Sequence, residues 1–95
     1  MTTTAHSGEG LDHRRKRLLF RCWHRGTREM DLILGRFADA HVATLADDEI
    51  AVLERLLELP DPELFAAVSG AIAPPSFAEN LFARIKAFNV AEPGL

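Results

Sequence analysis

The spacing of apolar positions along the chain is helical from about residue 11 to residue 88. Apolar residues recur three, four and seven positions apart, which is the repeat of one helix face, and no stretch alternates convincingly with the period of two typical of a β-strand. This pattern predicts helices over residues 11–25, 27–42, 47–59, 62–69 and 77–88. We therefore expect an all-α fold, a compact bundle of five short helices with short connections.

Residues that start or stop helices lie between these periodic stretches. Gly26 is expected to end the first helix, because glycine readily adopts the positive φ found at helix C-termini. Asp61 followed by Pro62 predicts an N-cap and a first helical residue. Ser76 and Glu79 have the spacing of a capping box, which predicts the start of the fifth helix. The other predicted stops are Pro60, Gly70 and a frayed end from residue 89 onward.

The chain of 95 residues is long enough for one domain with a modest core. We expect a flexible tail over residues 1–10, a single helical domain over residues 11–90 and a frayed terminus over residues 91–95. The tail lacks an apolar segment, so no secretory signal is expected, and no apolar run reaches the length that crosses a bilayer. A single cysteine, Cys22, excludes an internal disulfide and a cysteine-rich metal site.

The charge is unevenly distributed along the chain. Residues 1–36 carry eight basic and four acidic side chains, whereas residues 37–95 carry three basic and ten acidic ones. The basic run over residues 13–17 raises the possibility of nucleic-acid binding, although the net charge of −3 argues against it. The alternative interpretation is a solvated helix face. An asymmetry of this kind is typical of a charged docking surface.

The densest group of chemically distinctive residues surrounds the predicted turn after the first helix. Arg25 and Arg28 place two guanidinium groups near Glu29, and Gly26 between them would allow the backbone of a partner to approach closely. The alternative interpretation is a capping glycine with a weak Arg25–Glu29 surface ion pair. A third hypothesis makes His24 and Glu29 an acid–base pair of an enzyme.

The remaining histidines and the cysteine favour structural roles. No two histidines have the spacing of metal ligands, so no metal site is expected. His41 continues the apolar stripe of the second helix and is expected to be partly buried. Cys22 lies on the apolar arc of the first helix, which predicts a core position, while the basic surroundings leave a reactive thiol as the alternative.

Residues 17–31, with the sequence RLLFRCWHRGTREMD, resemble the succinate dehydrogenase assembly factor 2 family, whose bacterial members are SdhE-type flavinylation factors. The family motif Arg-Gly-x-x-Glu is matched by Arg25, Gly26 and Glu29. The resemblance continues in the same order to about residue 90, through Asp47-Asp48-Glu49 and Asp61-Pro62-Glu63-Leu64-Phe65. One departure is Ala67, where many members have tryptophan.

The resemblance implies a non-enzymatic assembly factor that binds the flavoprotein subunit of succinate dehydrogenase and promotes covalent FAD attachment to it. The related fumarate reductase subunit would be a second partner. FAD would belong to the partner and not be stably held by this chain. We also expect a monomer that inserts into no membrane. The location expected is the cytoplasm for a bacterial member and the mitochondrial matrix for eukaryotic relatives. The implied partner-binding residues are Arg21, Trp23, Arg25, Gly26, Arg28, Glu29 and Asp31.

Two alternatives to this function remain open from the residues. One is a regulatory, antitoxin-like module that uses the basic first helix on nucleic acid or on an acidic partner. The other is the enzyme with His24 and Glu29. No glycine-rich phosphate loop and no nucleotide-binding fingerprint accompany either alternative.

Overall fold

The computed structural model describes residues 10–91, and the described part of the chain contains five α-helices and no strand. This confirms the predicted helical class and the number of helices. The expected tail and the residues from 92 onward lie outside the described range, apart from Gly10. In the described range, no helix has both the length and the apolar character needed to span a membrane. The helices are α1 His13–Trp23, α2 Arg28–His41, α3 Asp47–Leu56, α4 Asp61–Ser69 and α5 Glu79–Ala91.

The helices fall into two units, residues 1–45 with α1 and α2, and residues 46–95 with α3, α4 and α5. In the first unit α1 and α2 pack against each other. Their facing apolar positions match the predicted stripes, since residues spaced three and four apart share one helix face. The buried side chains of these two helices are Leu18, Leu19, Cys22, Met30, Leu34, Phe37 and Ala38.

Helix α1 is shorter at both ends than the predicted span of residues 11–25. It begins after Asp12, whose Oδ1 atom accepts the amide of Arg15 at 2.8 Å and satisfies one of the unpaired donors of the first turn. It ends at Trp23, because His24 adopts a non-helical backbone conformation. Gly26 does have a positive φ of 108°, but it lies in the connection to α2 and does not directly cap α1.

Arg15, a member of the basic run over residues 13–17, forms hydrogen bonds within the first unit. Its guanidinium donates hydrogen bonds to the carbonyl of Val42 at 2.6 Å and to the carbonyl of Leu45 at 2.8 Å. Both carbonyls follow the last residue of α2, where the helix dipole is negative and carbonyls lack helical partners. Arg15 therefore ties the start of α1 to the end of α2, which a solvated helix face would not do.

We expect the substitution Arg15→Met to lower the free energy of unfolding by about 2 kcal/mol, because two charge-assisted hydrogen bonds are lost while the alkyl stem is retained. Urea unfolding followed by circular dichroism measures the change. Arg17→Met is the matched control, since Arg17 is exposed on the same helix; its effect should stay within about 0.5 kcal/mol. Equal effects of the two substitutions would contradict the internal role of Arg15.

The second unit contains α3, α4 and α5, and its core is built from one face of each helix. Glu49 joins two of them: its carboxylate accepts the amide of Ala46 at the start of α3 and pairs with the Arg84 guanidinium of α5 at 3.0 Å. The Arg55 guanidinium stands 4.1 Å from the ring centre of Phe77. The buried residues of this unit are Ile50, Leu53, Leu56, Leu57, Leu64, Ala67, Val68, Ala78, Leu81, Phe82 and Ile85.

Several predicted helix ends in the second unit are wrong by a few residues. Helix α3 ends at Leu56 and not at residue 59, because a turn precedes Pro60. Pro60 is the N-cap of α4 without a side-chain hydrogen bond, so Asp61 is the first helical residue and not the cap. Gly70 ends α4 in the left-handed conformation, at a φ of 90°, as predicted.

The start and the end of α5 also differ from the prediction. Pro75 caps a short 3-10 turn, Ser76–Ala78, without a side-chain hydrogen bond, so the predicted capping box of Ser76 does not start this helix. Helix α5 follows from Glu79 and continues to Ala91, so the predicted fraying from residue 89 is also wrong. In this last turn the Asn89 side chain donates to the carbonyl of Ile85 at 2.9 Å.

Candidate functional site

The connection between α1 and α2, together with the first turn of α2, forms an exposed corner; residues 24–29 are called the Gly26 corner below. Gly26 has a φ of 108°, and a Cβ placed on it would have no atom of residues 10–91 within 4 Å beyond its own chain neighbours. Thr27 caps α2, since its Oγ1 atom accepts the amide of Met30 at 3.3 Å. Arg28 and Glu29, the first two residues of the helix, are exposed. The backbone of Gly26 is thus open to an approaching molecule, and side chains of both charges stand next to it.

Asp31 holds the corner in shape. Its Oδ1 atom accepts a hydrogen bond from the backbone amide of Arg25 at 2.6 Å. This bond links the first turns of α2 to the start of the corner. Charge-assisted bonds of this kind are short and stronger than neutral ones. The sequence predicted Asp31 as a partner-binding residue, and the structure gives this carboxylate an internal contact that fixes the path of the Gly26 backbone.

Trp23, the last residue of α1, fixes how α1 and α2 meet beside the corner. Its Nε1 atom donates to Oδ1 of Asp39 at 3.3 Å. Its ring lies against Gly35, where a Cβ would stand 2.5 Å from Cε2 and 2.7 Å from Cε3. Gly35 and Asp39 are four residues apart and so share one face of α2. The indole therefore fits only because residue 35 has no side chain.

A shallow pocket of about 590 Å³ opens beside the corner. Four of the seven predicted partner-binding residues line it together: Trp23, Gly26, Arg28 and Asp31. The other residues that line it are His24, Thr27 and Leu32. Glu29 is exposed on the same first turn of α2, while Arg21 and Arg25 are half-buried and are not among the residues that line the pocket.

Sequence reasoning missed three residues of this site, Leu32, Gly35 and Asp39. Gly35 did carry a signal, since an isolated glycine inside a strongly periodic helix usually has a packing reason. Its partner Trp23 lies twelve positions earlier in the chain, and helix periodicity alone does not identify such a pair. Leu32 and Asp39 carried no signal of their own.

Cys22 precedes Trp23 in α1, and its side chain is fully buried. Burial raises the pKa of the thiol to about 12, although the nearby charges of Arg25 and Arg21 act in the opposite direction. The core assignment is thereby confirmed, because a reactive cysteine requires exposure and a thiolate.

We expect thiol labelling of the folded protein at pH 8 to be slower than labelling of the urea-unfolded chain by on the order of 100-fold, because the thiolate is disfavoured and inaccessible. The raised pKa of Cys22 also means that the native state holds the proton more tightly than the unfolded chain. Its contribution to stability is therefore present below the ordinary thiol value of 9.0 and is lost as the pH rises towards about 12. Rapid labelling of the folded protein would contradict this picture.

The structure also bears on the two other interpretations. His24 is stacked on Phe20, and its Nδ1–H donates to the Phe20 carbonyl at 2.7 Å, so one ring nitrogen of the hypothetical acid–base pair with Glu29 already has an internal partner. In the basic run Arg15 is turned to the carbonyls after α2, which leaves fewer cations for a nucleic-acid backbone. No described group of histidine, cysteine and carboxylate side chains has the arrangement of a metal site.

Comparison with known proteins supports the resemblance seen in the sequence. Residues 16–89 match the family described as "Flavinator of succinate dehydrogenase". A protein of Acetobacter pasteurianus named FAD assembly factor SdhE is 46% identical over 56 residues, which cover 59% of this chain and 51% of the relative. A protein of the same name from Ralstonia nicotianae is 39% identical over 64 residues, covering 67% of this chain and 66% of the relative.

A more distant relative extends the match along the chain. Succinate dehydrogenase assembly factor 2, mitochondrial, of Caenorhabditis briggsae is 32% identical over 85 residues, which cover 85% of this chain and 70% of the relative. The chain thus spans about half to two thirds of the length of the two bacterial relatives it matches. No solved structure gives a significant match. The matched family covers the Gly26 corner and all five described helices except the start of α1 and the end of α5, and the chain therefore belongs to the family of flavinators of succinate dehydrogenase.

Proposed function

We propose that this protein is an assembly factor that binds the flavoprotein subunit of succinate dehydrogenase and promotes covalent attachment of FAD to it. The relatives that carry the names FAD assembly factor and succinate dehydrogenase assembly factor support this function. The observation that carries it in this chain is the exposed Gly26 corner, where a positive-φ glycine with open space in front of it stands beside Arg28 and Glu29.

The corner suits a grip on a larger protein. Arg28 can hold a carboxylate or a backbone carbonyl of the partner in a fixed geometry, because the guanidinium donates several parallel hydrogen bonds. Glu29 can accept a hydrogen bond from the partner, and Gly26 lets the two backbones approach. Asp31 and Trp23 keep the corner in one conformation before binding, so that less conformational entropy is lost when the complex forms.

An assembly factor of this kind acts by selecting a conformation of its partner. Binding to the form in which the flavin and the accepting histidine are aligned increases the population of that form. Alignment of two reacting groups lowers a barrier by several kcal/mol without any catalytic group from the assembly factor. In this proposal the chain is not an enzyme, FAD stays with the partner, and the flavoprotein subunit of fumarate reductase is a second partner.

We further propose that the protein works as a monomer. A bacterial member would act in the cytoplasm, and the relatives named mitochondrial would act in the matrix. The proposal needs only one exposed corner per chain, which α1 and α2 form within a single unit.

Deletion of the protein followed by in-gel flavin fluorescence tests the function. Without it, we expect the fluorescence of the covalently flavinylated subunit to fall and to return when the wild-type chain is supplied. Unchanged flavin fluorescence after deletion would contradict the proposal. Duplex binding with a steep salt dependence, in a strain whose flavin loading is intact, would instead favour the nucleic-acid alternative.

A further inference from the structure

The stacked aromatic pair beside the corner is not explained by packing within the described units. Phe20 is 62% exposed although it lies in the middle of α1. The His24 ring stacks on it, with ring centres 3.8 Å apart and an angle of 18° between the planes. An exposed large apolar side chain alone is unremarkable on a protein surface. Here two rings are stacked into one exposed aromatic pair, called the Phe20–His24 stack below.

The stack is fixed before any partner arrives. His24 directly follows the last residue of α1 and lies four residues after Phe20, about one helical turn away, so the two rings can meet. The Nδ1–H of His24 donates to the carbonyl of Phe20 at 2.7 Å, which sets the orientation of the ring and leaves Nε2 as the second nitrogen for an outside group. Rigid aromatic anchors lose little side-chain entropy on binding, and this is why they dominate many interfaces.

The stack is continuous with the Gly26 corner. His24 belongs to both, because this residue also lines the pocket that opens beside Gly26 and Arg28. On the other side of the stack, Lys16 and Arg17 are exposed one turn before Phe20 on the same face of α1. The surface thus has an aromatic centre and exposed positive charge on the side of Lys16 and Arg17.

We propose that the Phe20–His24 stack is a second half of the partner-binding surface, and that it binds an apolar side chain carried on an acidic segment of the flavoprotein subunit. The proposal rests on the proposed function, since the same partner would contact the corner and the stack. The exposed Phe20 ring supplies affinity, and the charges of Lys16 and Arg17 beside it favour a partner segment of negative charge over one of positive charge.

The substitution Phe20→Ser tests this surface. The variant protein is titrated into the isolated flavoprotein subunit, and calorimetry measures the Kd of the complex. We expect the Kd to rise by about tenfold or more, while circular dichroism and the thermal midpoint stay close to wild type, because Phe20 is exposed. Phe20→Tyr keeps the aromatic ring, so its Kd should stay close to that of the wild type. Val90→Ser is the matched control, since Val90 is 76% exposed in α5, and it should leave the Kd unchanged.

Photo-crosslinking identifies the chemistry of the occupant. With benzoylphenylalanine at position 20, we expect a crosslinked peptide of the flavoprotein subunit that is net negative and contains an apolar residue, and we expect none from position 90. A crosslink to a basic segment would overturn the proposal. So would an unchanged Kd for Phe20→Ser while a Gly26 variant loses binding, a result that leaves the proposed function intact. If the wild-type chain fails to bind the subunit at all, both proposals fail.

Discussion

Gly26→Arg is expected to reduce covalent flavin on the succinate dehydrogenase subunit to the level of a strain without the protein. Two effects combine at this position. A side chain at a φ of 108° is strained, at a cost of about 1–2 kcal/mol, and a long arginine side chain fills the open space through which a partner would reach the Gly26 backbone. The first effect lowers stability by that amount, whereas the second removes the contact that the proposed function requires.

The measurement is in-gel flavin fluorescence in a deletion strain that expresses each variant at equal level. Gly26→Ala separates the two effects, because it introduces the strain without much bulk, and we expect it to retain more flavin loading than Gly26→Arg. Gly70→Arg is the matched control in the second unit. Gly70 also has a positive φ, of 90°, so the substitution brings similar strain, and among the described residues the new Cβ would meet the end of the flexible Lys86 side chain.

The pattern across these variants distinguishes binding from folding. Loss of flavin loading with Gly26→Arg but not with Gly70→Arg assigns the effect to the corner. Equal loss with both would mean that stability alone limits function, and full loading with Gly26→Arg would contradict the corner as the partner-binding site. Far-UV circular dichroism of the purified variants confirms that helicity is retained in each case.

The parts of the fold that sequence reasoning predicted well are those that depend on neighbouring residues. The buried stripe of α2, from Met30 to Ala38, follows from helical spacing alone. The left-handed end of α4 at Gly70 follows from the conformational freedom of glycine. The one-residue error at Asp61 has a local cause as well. Proline disfavours a helical conformation in the residue before it, so Pro62 made Asp61 look like the N-cap, whereas the N-cap is Pro60.

The features that sequence reasoning missed depend on residues distant in the chain. The basic run suggested a solvated face, but Arg15 bonds to carbonyls 27 and 30 positions later. The predicted partner role of Asp31 did not include the hydrogen bond that its carboxylate accepts from the amide of Arg25. In both cases sequence reasoning singled out the charged residue but not its contact. Its contact depended on how α1 and α2 come together, which periodicity does not specify.

Gly35→Ala is expected to destabilise the protein by about 1–3 kcal/mol, which is the opposite sign to the usual effect of this substitution inside a helix. Alanine is the better helix former by roughly 1 kcal/mol. At this position the new Cβ would stand 2.5 Å from Cε2 of Trp23, and a rigid indole held by Asp39 cannot yield as a flexible chain end would. The overlap therefore outweighs the gain in helix propensity.

Urea unfolding followed by circular dichroism at 222 nm measures this effect, and Ala40→Gly is its matched control. Ala40 is exposed on the same helix, so removing its methyl group should cost about 0.5–1 kcal/mol through propensity alone. Adding a methyl group at residue 35 and removing one at residue 40 should then both destabilise, for different reasons. A stabilised Gly35→Ala variant would show that the indole does not lie against α2 as described.

A double-mutant cycle assigns the destabilisation to the indole. Trp23→Leu replaces the ring by a smaller side chain, and in that background Gly35→Ala should cost less than in the wild type, or should stabilise. Because Trp23 also lines the pocket beside the Gly26 corner, displacement of its ring by Gly35→Ala should weaken partner binding although residue 35 does not line the pocket. A variant that loses stability but binds the flavoprotein subunit with unchanged affinity would separate the packing of Trp23 from the partner-binding surface.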